Sequence, residues 1–200
     1  TPAYEYSYGR QNWFAHTAAE CAAVRDGVAV FDQSSMAKFI VQGRDACRVL
    51  NAVGTADVDV APGRLVYTQW LNERGGIEAD LTVARLGENR FMVVTSASSH
   101  IRDLAWLNEH IPSDAFCAVT DVTSGTPMLG LMGPGSRALL SQLSGADLSN
   151  EAFPFGSSQE IEIGYAIVRA NRITYVGELG WELYIPAEFA LHVFDRVLEA

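Results

Sequence analysis

A repeat within the chain narrows its fold more than any other feature. The stretch from Asp32, D-Q-S-S-M-A-K-F-I-V-Q-G-R-D-A-C-R-V-L, is echoed from Asp121 by D-V-T-S-G-T-P-M-L-G-L-M-G-P-G-S-R-A-L-L. One gap aligns Asp32 with Asp121, Ser35 with Ser124, Gly43 with Gly133 and Leu50 with Leu140; Ala56-Asp57 and Ala146-Asp147 then fall in register. Each copy reads as a strand, a glycine and a helix. Two such units predict one discontinuous sheeted domain of residues 1–54 plus 121–200, with residues 55–120 inserted as a second α+β domain. Strands adjoin mostly as hairpins and helices are few. The fold class is therefore α+β with mainly antiparallel sheets and flanking helices, not a doubly wound parallel sheet.

Inside the insertion, Tyr67 to Val83 reads as a β-hairpin turning at Asn72 to Gly76. Ile77, Ala79, Leu81 and Val83 point one way; Glu78, Asp80 and Thr82 point the other. A mid-strand carboxylate such as Asp80 is a poor strand former. Either it decorates a solvated face or it lines a ligand cavity. Counting from the turn sets Asp80 across from Thr68, give or take one, so a cavity would open on the face of Thr68 and Thr82. A second carboxylate, Glu182, sits inside the apolar run Trp181 to Ile185, after Tyr175-Val176-Gly177-Glu178-Leu179-Gly180. If buried, it must find donors or stay protonated. An amino-pyrimidine edge would supply two parallel donors.

The remaining elements follow from local signals. Thr17 with Glu20 forms a capping box for a helix that stops at Gly27. Strands are expected at 28–31, 37–42, 91–95, 117–122, 128–132, 160–163, 166–170, 173–176 and 181–185. Helices are expected at 44–52, from a Ser98 or Ser99 cap to about His110, at 136–143 and after Pro186. The apolar stripe of the helix ending near His110 is Ile101, Leu104, Ala105 and Leu107.

Composition removes several function classes. Apolar residues make up 48% of the 200, enough for a core. The net charge of −10, with no basic stripe, argues against nucleic acid and membrane-surface partners. The three cysteines are scattered and no C-x-x-C occurs, which suits reduced thiols in a cytosolic-type compartment. No signal peptide and no membrane span are evident. The missing initiator Met and an end inside a helical pattern read as a piece of a longer polypeptide. The four histidines have no metal-ligand spacing, so no metal is expected. Gly133-Pro134-Gly135-Ser136-Arg137-Ala138 matches a dinucleotide fingerprint, but the expected acidic residue after a second parallel strand is missing, and the copy at Gly43 has no second glycine. The glycine serves the strand-to-helix turn.

Three segments together carry a resemblance: N-x-x-G-G-I-x-x-D-L-T-V in the hairpin, Asp32-x-Ser-Ser-Met36, and Y-V-G-E-x-G-W-E. They resemble the aminomethyltransferase (glycine-cleavage T-protein) family over nearly the whole chain, and most of all the folate-binding portion of dimethylglycine and sarcosine dehydrogenases or oxidases. The resemblance implies tetrahydrofolate as cofactor, with Asp80 as catalytic aspartate, Tyr175 and Glu182 holding the pterin, and Met36 lining the cavity. Thr95 stands where T-proteins carry a folate-contacting asparagine, a departure that favours the dehydrogenase lineage. The resemblance also implies a preceding FAD-binding domain that oxidises a methylated amine, a C-terminal barrel domain missing from these residues, and a cytoplasmic or mitochondrial-matrix location. The implied reaction passes a one-carbon unit from an iminium to tetrahydrofolate, giving methylenetetrahydrofolate. These 200 residues alone would then be inactive. Two alternatives stay open: a stand-alone aminomethyltransferase or folate-dependent demethylase, and a non-catalytic folate-binding or assembly protein. Relatives of the last kind carry Lys-Gly-Cys, which this chain lacks.

Overall fold

A computed structural model of the protein describes residues 3–200. Its strands are β1 (Ala29–Asp32), β2 (Ala37–Gln42), β3 (Leu65–Leu71), β4 (Ile77–Gly87), β5 (Arg90–Thr95), β6 (Ala118–Asp121), β7 (Met128–Met132), β8 (Ser158–Ile163), β9 (Ala166–Asn171) and β10 (Gly180–Tyr184). They form two five-stranded sheets, ordered β1-β7-β10-β9-β8 and β3-β4-β5-β2-β6. Every pair is antiparallel. The α-helices are α1 (Phe14–Asp26), α2 (Ala46–Val53), α3 (His100–Glu109), α4 (Ser136–Leu143) and α5 (Ala190–Glu199).

The two repeat copies trade strands. β1 of the first copy pairs with β7 of the second, and β6 of the second pairs with β2 of the first. The exchange is symmetric to the residue: Asp32 faces Leu129 and Asp121 faces Phe39. Gln33 N–H donates to the Met128 carbonyl at 2.9 Å, and Val122 N–H to the Lys38 carbonyl at 2.9 Å. Met128 N–H donates to Ser34 Oγ, and Lys38 N–H to Thr123 Oγ1. The repeat glycines are the close contacts of this arrangement. Gly43 has φ of 136° and Gly133 has 129°. A Cβ there would lie 2.2 Å from the Phe116 carbonyl oxygen or 2.4 Å from that of Gly27. The G-x-G-x-x-A run is thus a packing device between strand and helix.

One face of each sheet packs on helices. Phe39, Val41, Val83, Phe91 and Val93 bury against Val49, Leu50 and Leu107 of α2 and α3. On the other sheet Leu129, Leu131, Val168, Trp181 and Leu183 bury against Leu140, Val193 and Val197 of α4 and α5. The remaining faces meet through Ile40, Ala84, Met92 and Val94 on one side and Met128 and Tyr184 on the other. The layers run helix, sheet, sheet, helix.

This topology moves the expected division of the chain. β2 and α2, at 37–53, belong with the sheet and core of residues 65–121, not with residues 121–200. The strand exchange is the reason, since each repeat copy spans both sheets. Four local expectations also change. The first helix starts at Phe14, with Trp13 at its N-cap and no side-chain cap, so Thr17 and Glu20 do not form a capping box. Tyr4 and Tyr6 pack edge-on to the Trp13 ring just before it. The serine cap before α3 is Ser96, which accepts from Ser98 N–H. Ile101 is outside the buried stripe at 74% exposure; Asp103 and Leu107 are the buried residues of α3. Residues 173–176 form a loop, not a strand.

Lys38 stands at the exchange point. It is fully buried, and its Nζ donates to the Ser34 carbonyl at 3.0 Å. Burial pushes its pKa down to about 8, against the opposing pull of Asp121 and Asp32. The folded state therefore holds fewer protons than the unfolded chain between pH 8 and 10.5, so stability rises with pH through that window. The buried charge costs about 3 kcal/mol at neutral pH, by the shift from 10.5 to about 8. The bond to Ser34, made by a charged donor, returns about 2 kcal/mol. The equivalent position in the second copy is Met128. Lys38→Met should accordingly raise the stability measured by urea unfolding at pH 7, by about 1 kcal/mol, and flatten the rise between pH 8 and 10.5. A variant less stable at pH 7 would show that the ammonium is a net stabiliser.

Candidate functional site

A cavity of about 460 Å³ opens between the two sheets. One wall is the hairpin, with Tyr67, Asp80 and Thr82, and Val94 of the neighbouring strand. Glu182 of β10 lies on the other. Gln33 and Met36 come from the crossover between β1 and β2, and Phe155, Ile173, Thr174 and Tyr175 from loops. The strand exchange brings these pieces together, because it draws the Gln33–Met36 crossover between the sheets.

The hairpin carries a bulge. Leu71 faces Ile77 but Trp70 faces Ala79, so Glu78 is the extra residue and Asp80 comes to face Gln69. This one-residue slip turns Thr68 to the core. Thr68 is buried, and its Oγ1 accepts from Thr55 and Ala56 N–H groups. The cavity face is Tyr67 and Thr82, which are cross-strand partners, with Gln69 and Asp80 beside them. Asp80 is exposed at the mouth and accepts from Gln69 Nε2 at 3.0 Å through Oδ1. Its hydrogen bond with the Tyr67 phenol raises the phenol's pKa.

Glu182 is in a different setting. It is 9% exposed, and its Oε2 accepts from the Tyr184 hydroxyl at 2.6 Å. Burial raises its pKa, with the Tyr184 bond opposing. The wholly buried Tyr184 phenol is itself pushed well up by burial. At the rim, Tyr67, Phe155 and Tyr175 are 63%, 64% and 87% exposed, three large rings with little to cover them. The lining is thus a wall carboxylate, a mouth carboxylate and aromatic faces.

Of the five residues singled out by sequence, Asp80, Tyr175, Glu182 and Met36 line this one cavity. Thr95 does not. Its Oγ1 donates to Asp103 Oδ2 at 2.6 Å on the α3 side of the sheet, and its neighbour Val94 takes the cavity face. Strand alternation is the cause. Tyr67, Gln33 and Phe155 were not anticipated. Tyr67 was open to discovery as the residue two before Gln69 on the face of Asp80; Gln33 is the unassigned second residue of the Asp32 motif. Nothing in the sequence around Phe155 points to the cavity. Among the described residues there is no group of three or more His, Cys, Asp and Glu able to hold a metal, all three cysteines are free, and no helix is long and apolar enough to cross a membrane.

Comparison with known proteins agrees with the layout. The family described as GCVT N-terminal domain matches residues 2–200. The 4-methylaminobutanoate oxidase (formaldehyde-forming) of Paenarthrobacter nicotinovorans is 44% identical over 200 residues, covering 100% of this chain and 24% of the oxidase. Mitochondrial sarcosine dehydrogenase of Homo sapiens is 38% identical, covering 90% of this chain and 21% of the dehydrogenase. The chain thus spans less than a quarter of the length of these two relatives. The crystal structure of glycine cleavage system aminomethyltransferase T from Bartonella henselae superposes with a TM-score of 0.80 at 27% identity, over 98% of this chain and 53% of that one. The chain belongs to the aminomethyltransferase (glycine-cleavage T-protein) family, within which it matches the GCVT N-terminal domain.

Proposed function

We propose that the inter-sheet cavity binds tetrahydrofolate and that the protein is the folate-binding part of an FAD-dependent dehydrogenase or oxidase of the dimethylglycine and sarcosine type. One observation carries the reading: two carboxylates in contrasting environments, Asp80 and Glu182, line one cavity whose rim is three uncovered aromatic rings. Bound there, tetrahydrofolate would supply the ring nitrogens that take up a one-carbon unit from a methylene-iminium, giving methylenetetrahydrofolate, the demethylated amine and a proton. The flavin that forms the iminium belongs to a preceding part of a longer chain.

Each residue has a task set by its surroundings. The Glu182 carboxylate has Oε2 held by Tyr184, which fixes its orientation for a flat edge with two parallel N–H groups. Tyr67 and Tyr175 offer ring faces at the mouth, and Met36 packs from the crossover. Asp80 keeps a carboxylate at the mouth, anchored on one oxygen by Gln69, where it stabilises a cation and accepts the proton lost by the attacking nitrogen. A second reading is favoured by the Paenarthrobacter relative, whose name specifies formaldehyde formation. In that reading the one-carbon unit is released to water as formaldehyde. Quantifying methylenetetrahydrofolate against free formaldehyde during turnover separates the two.

Asp80→Asn should leave the affinity for tetrahydrofolate within about twofold and slow one-carbon transfer by about 10²–10⁴ in single-turnover assays. Unaltered transfer would remove Asp80 from the chemistry. A donor edge needs Glu182 ionised, so affinity should fall as pH drops through its raised pKa, at a pH above the ordinary Glu range. Glu182→Gln should weaken binding about 10- to 100-fold, the value of charge-assisted bonds, and abolish this pH dependence in titration calorimetry. A pH dependence that survives in the variant would assign it to another group.

A further inference from the structure

On the cavity-facing side of its sheet, Glu182 belongs to a row of cross-strand partners. Phe31 faces Gly130, Gly130 faces Glu182, Glu182 faces Asn171, and Asn171 faces Ser158. Partners in such a row project to one side, with strands about 5 Å apart. The place next to Glu182 that a side chain at 130 would fill is taken instead by Gln33. A Cβ on Gly130 would lie 2.5 Å from Gln33 Oε1 and 3.3 Å from its Cδ. The Gln33 amide therefore takes the cross-strand position next to Glu182, and Gln33 lines the same cavity. Its Oε1 is buried and meets no donor.

We propose that Gln33 is a specificity-determining residue of the cavity, hydrogen-bonding the ring carbonyl that lies next to the amino and N–H pair taken by Glu182. The inference rests on the folate reading and deepens it. Glu182 accepts only. The carbonyl of a 2-amino-4-oxo ring needs a donor at the next position along the edge, and a carboxamide has two N–H bonds to offer. Oε1 is the end of the amide buried over Gly130, which leaves the nitrogen as the end that can meet the ring. Together the two side chains read acceptor, acceptor, donor against donor, donor, acceptor. Gly130 is required for this pairing, because any side chain there would displace the amide.

The test uses tetrahydrofolate labelled with ¹³C at the ring carbonyl, titrated into the protein and into Gln33→Met, which keeps the volume and loses the hydrogen bond. Wild type should saturate, with the carbonyl resonance shifted downfield. Gln33→Met should bind about tenfold more weakly, one hydrogen bond's worth, and lose the downfield shift. Gln33→Glu, close in shape, replaces the donor with a second carboxylate beside Glu182 and should bind more weakly still. A Gln33→Met complex with unchanged affinity and shift overturns the proposal. So does weaker binding with the carbonyl resonance unmoved from wild type, the signature of a merely structural role. Failure of the wild-type protein to saturate overturns the folate reading itself, an outcome separate from either.

Discussion

The exchange of β1 and β6 between the repeat copies is the constraint on which the rest of the molecule depends. Each copy contributes its first strand to one sheet and its second to the other. Neither sheet is then complete without both copies, and the chain must cross between the sheets twice. The first crossing, Gln33 to Met36, brings polar and apolar side chains into the inter-sheet space. Gly43 and Gly133 let each strand-to-helix turn approach the backbone that leads into the exchanged strand, Phe116 in one copy and Gly27 in the other. A Cβ at either would push the exchanged strand out of register.

Symmetry of backbone makes the asymmetry of side chains informative. Lys38 faces Val94 as Met128 faces Tyr184, so by register Glu182 corresponds to Met92. At one place between the sheets the duplicated fold carries a methionine in a core cluster; at the equivalent place it carries a carboxylate whose pKa burial raises. A core gains nothing from that carboxylate. It is the member of the pair that calls for a ligand. Asp80 is the complementary case: exposed and held by Gln69, it costs the fold little at the mouth.

Much of this was legible before any coordinates. The repeat, the hairpin and the two carboxylates follow from alternation and from glycine placement, and the family follows from three separate motifs. What escaped reading has physical causes. Strand exchange leaves no local trace, so residues 37–53 joined a different sheet from the one expected. A bulge at Glu78 moves a register by one residue, which sent Thr68 inward and brought Gln69 and Tyr67 to the cavity side. Thr95 occupied the right motif on the wrong face, because alternation hands the cavity to Val94. Gln33 could not be found from spacing at all. Its part depends on the missing side chain of Gly130, a contact across strands that are distant in sequence.

The central claim is that a reduced folate lies between the sheets, against the Gln33–Met36 crossover. Of the four methionines, Met36 lines that cavity, whereas Met92, Met128 and Met132 are buried in the core. Methyl-¹³C labelling of methionine followed by titration with 5-formyltetrahydrofolate tests the claim directly. The account predicts a saturable shift of the Met36 methyl with the other three nearly still. Saturable binding that leaves Met36 unmoved, or no saturable binding, would contradict it.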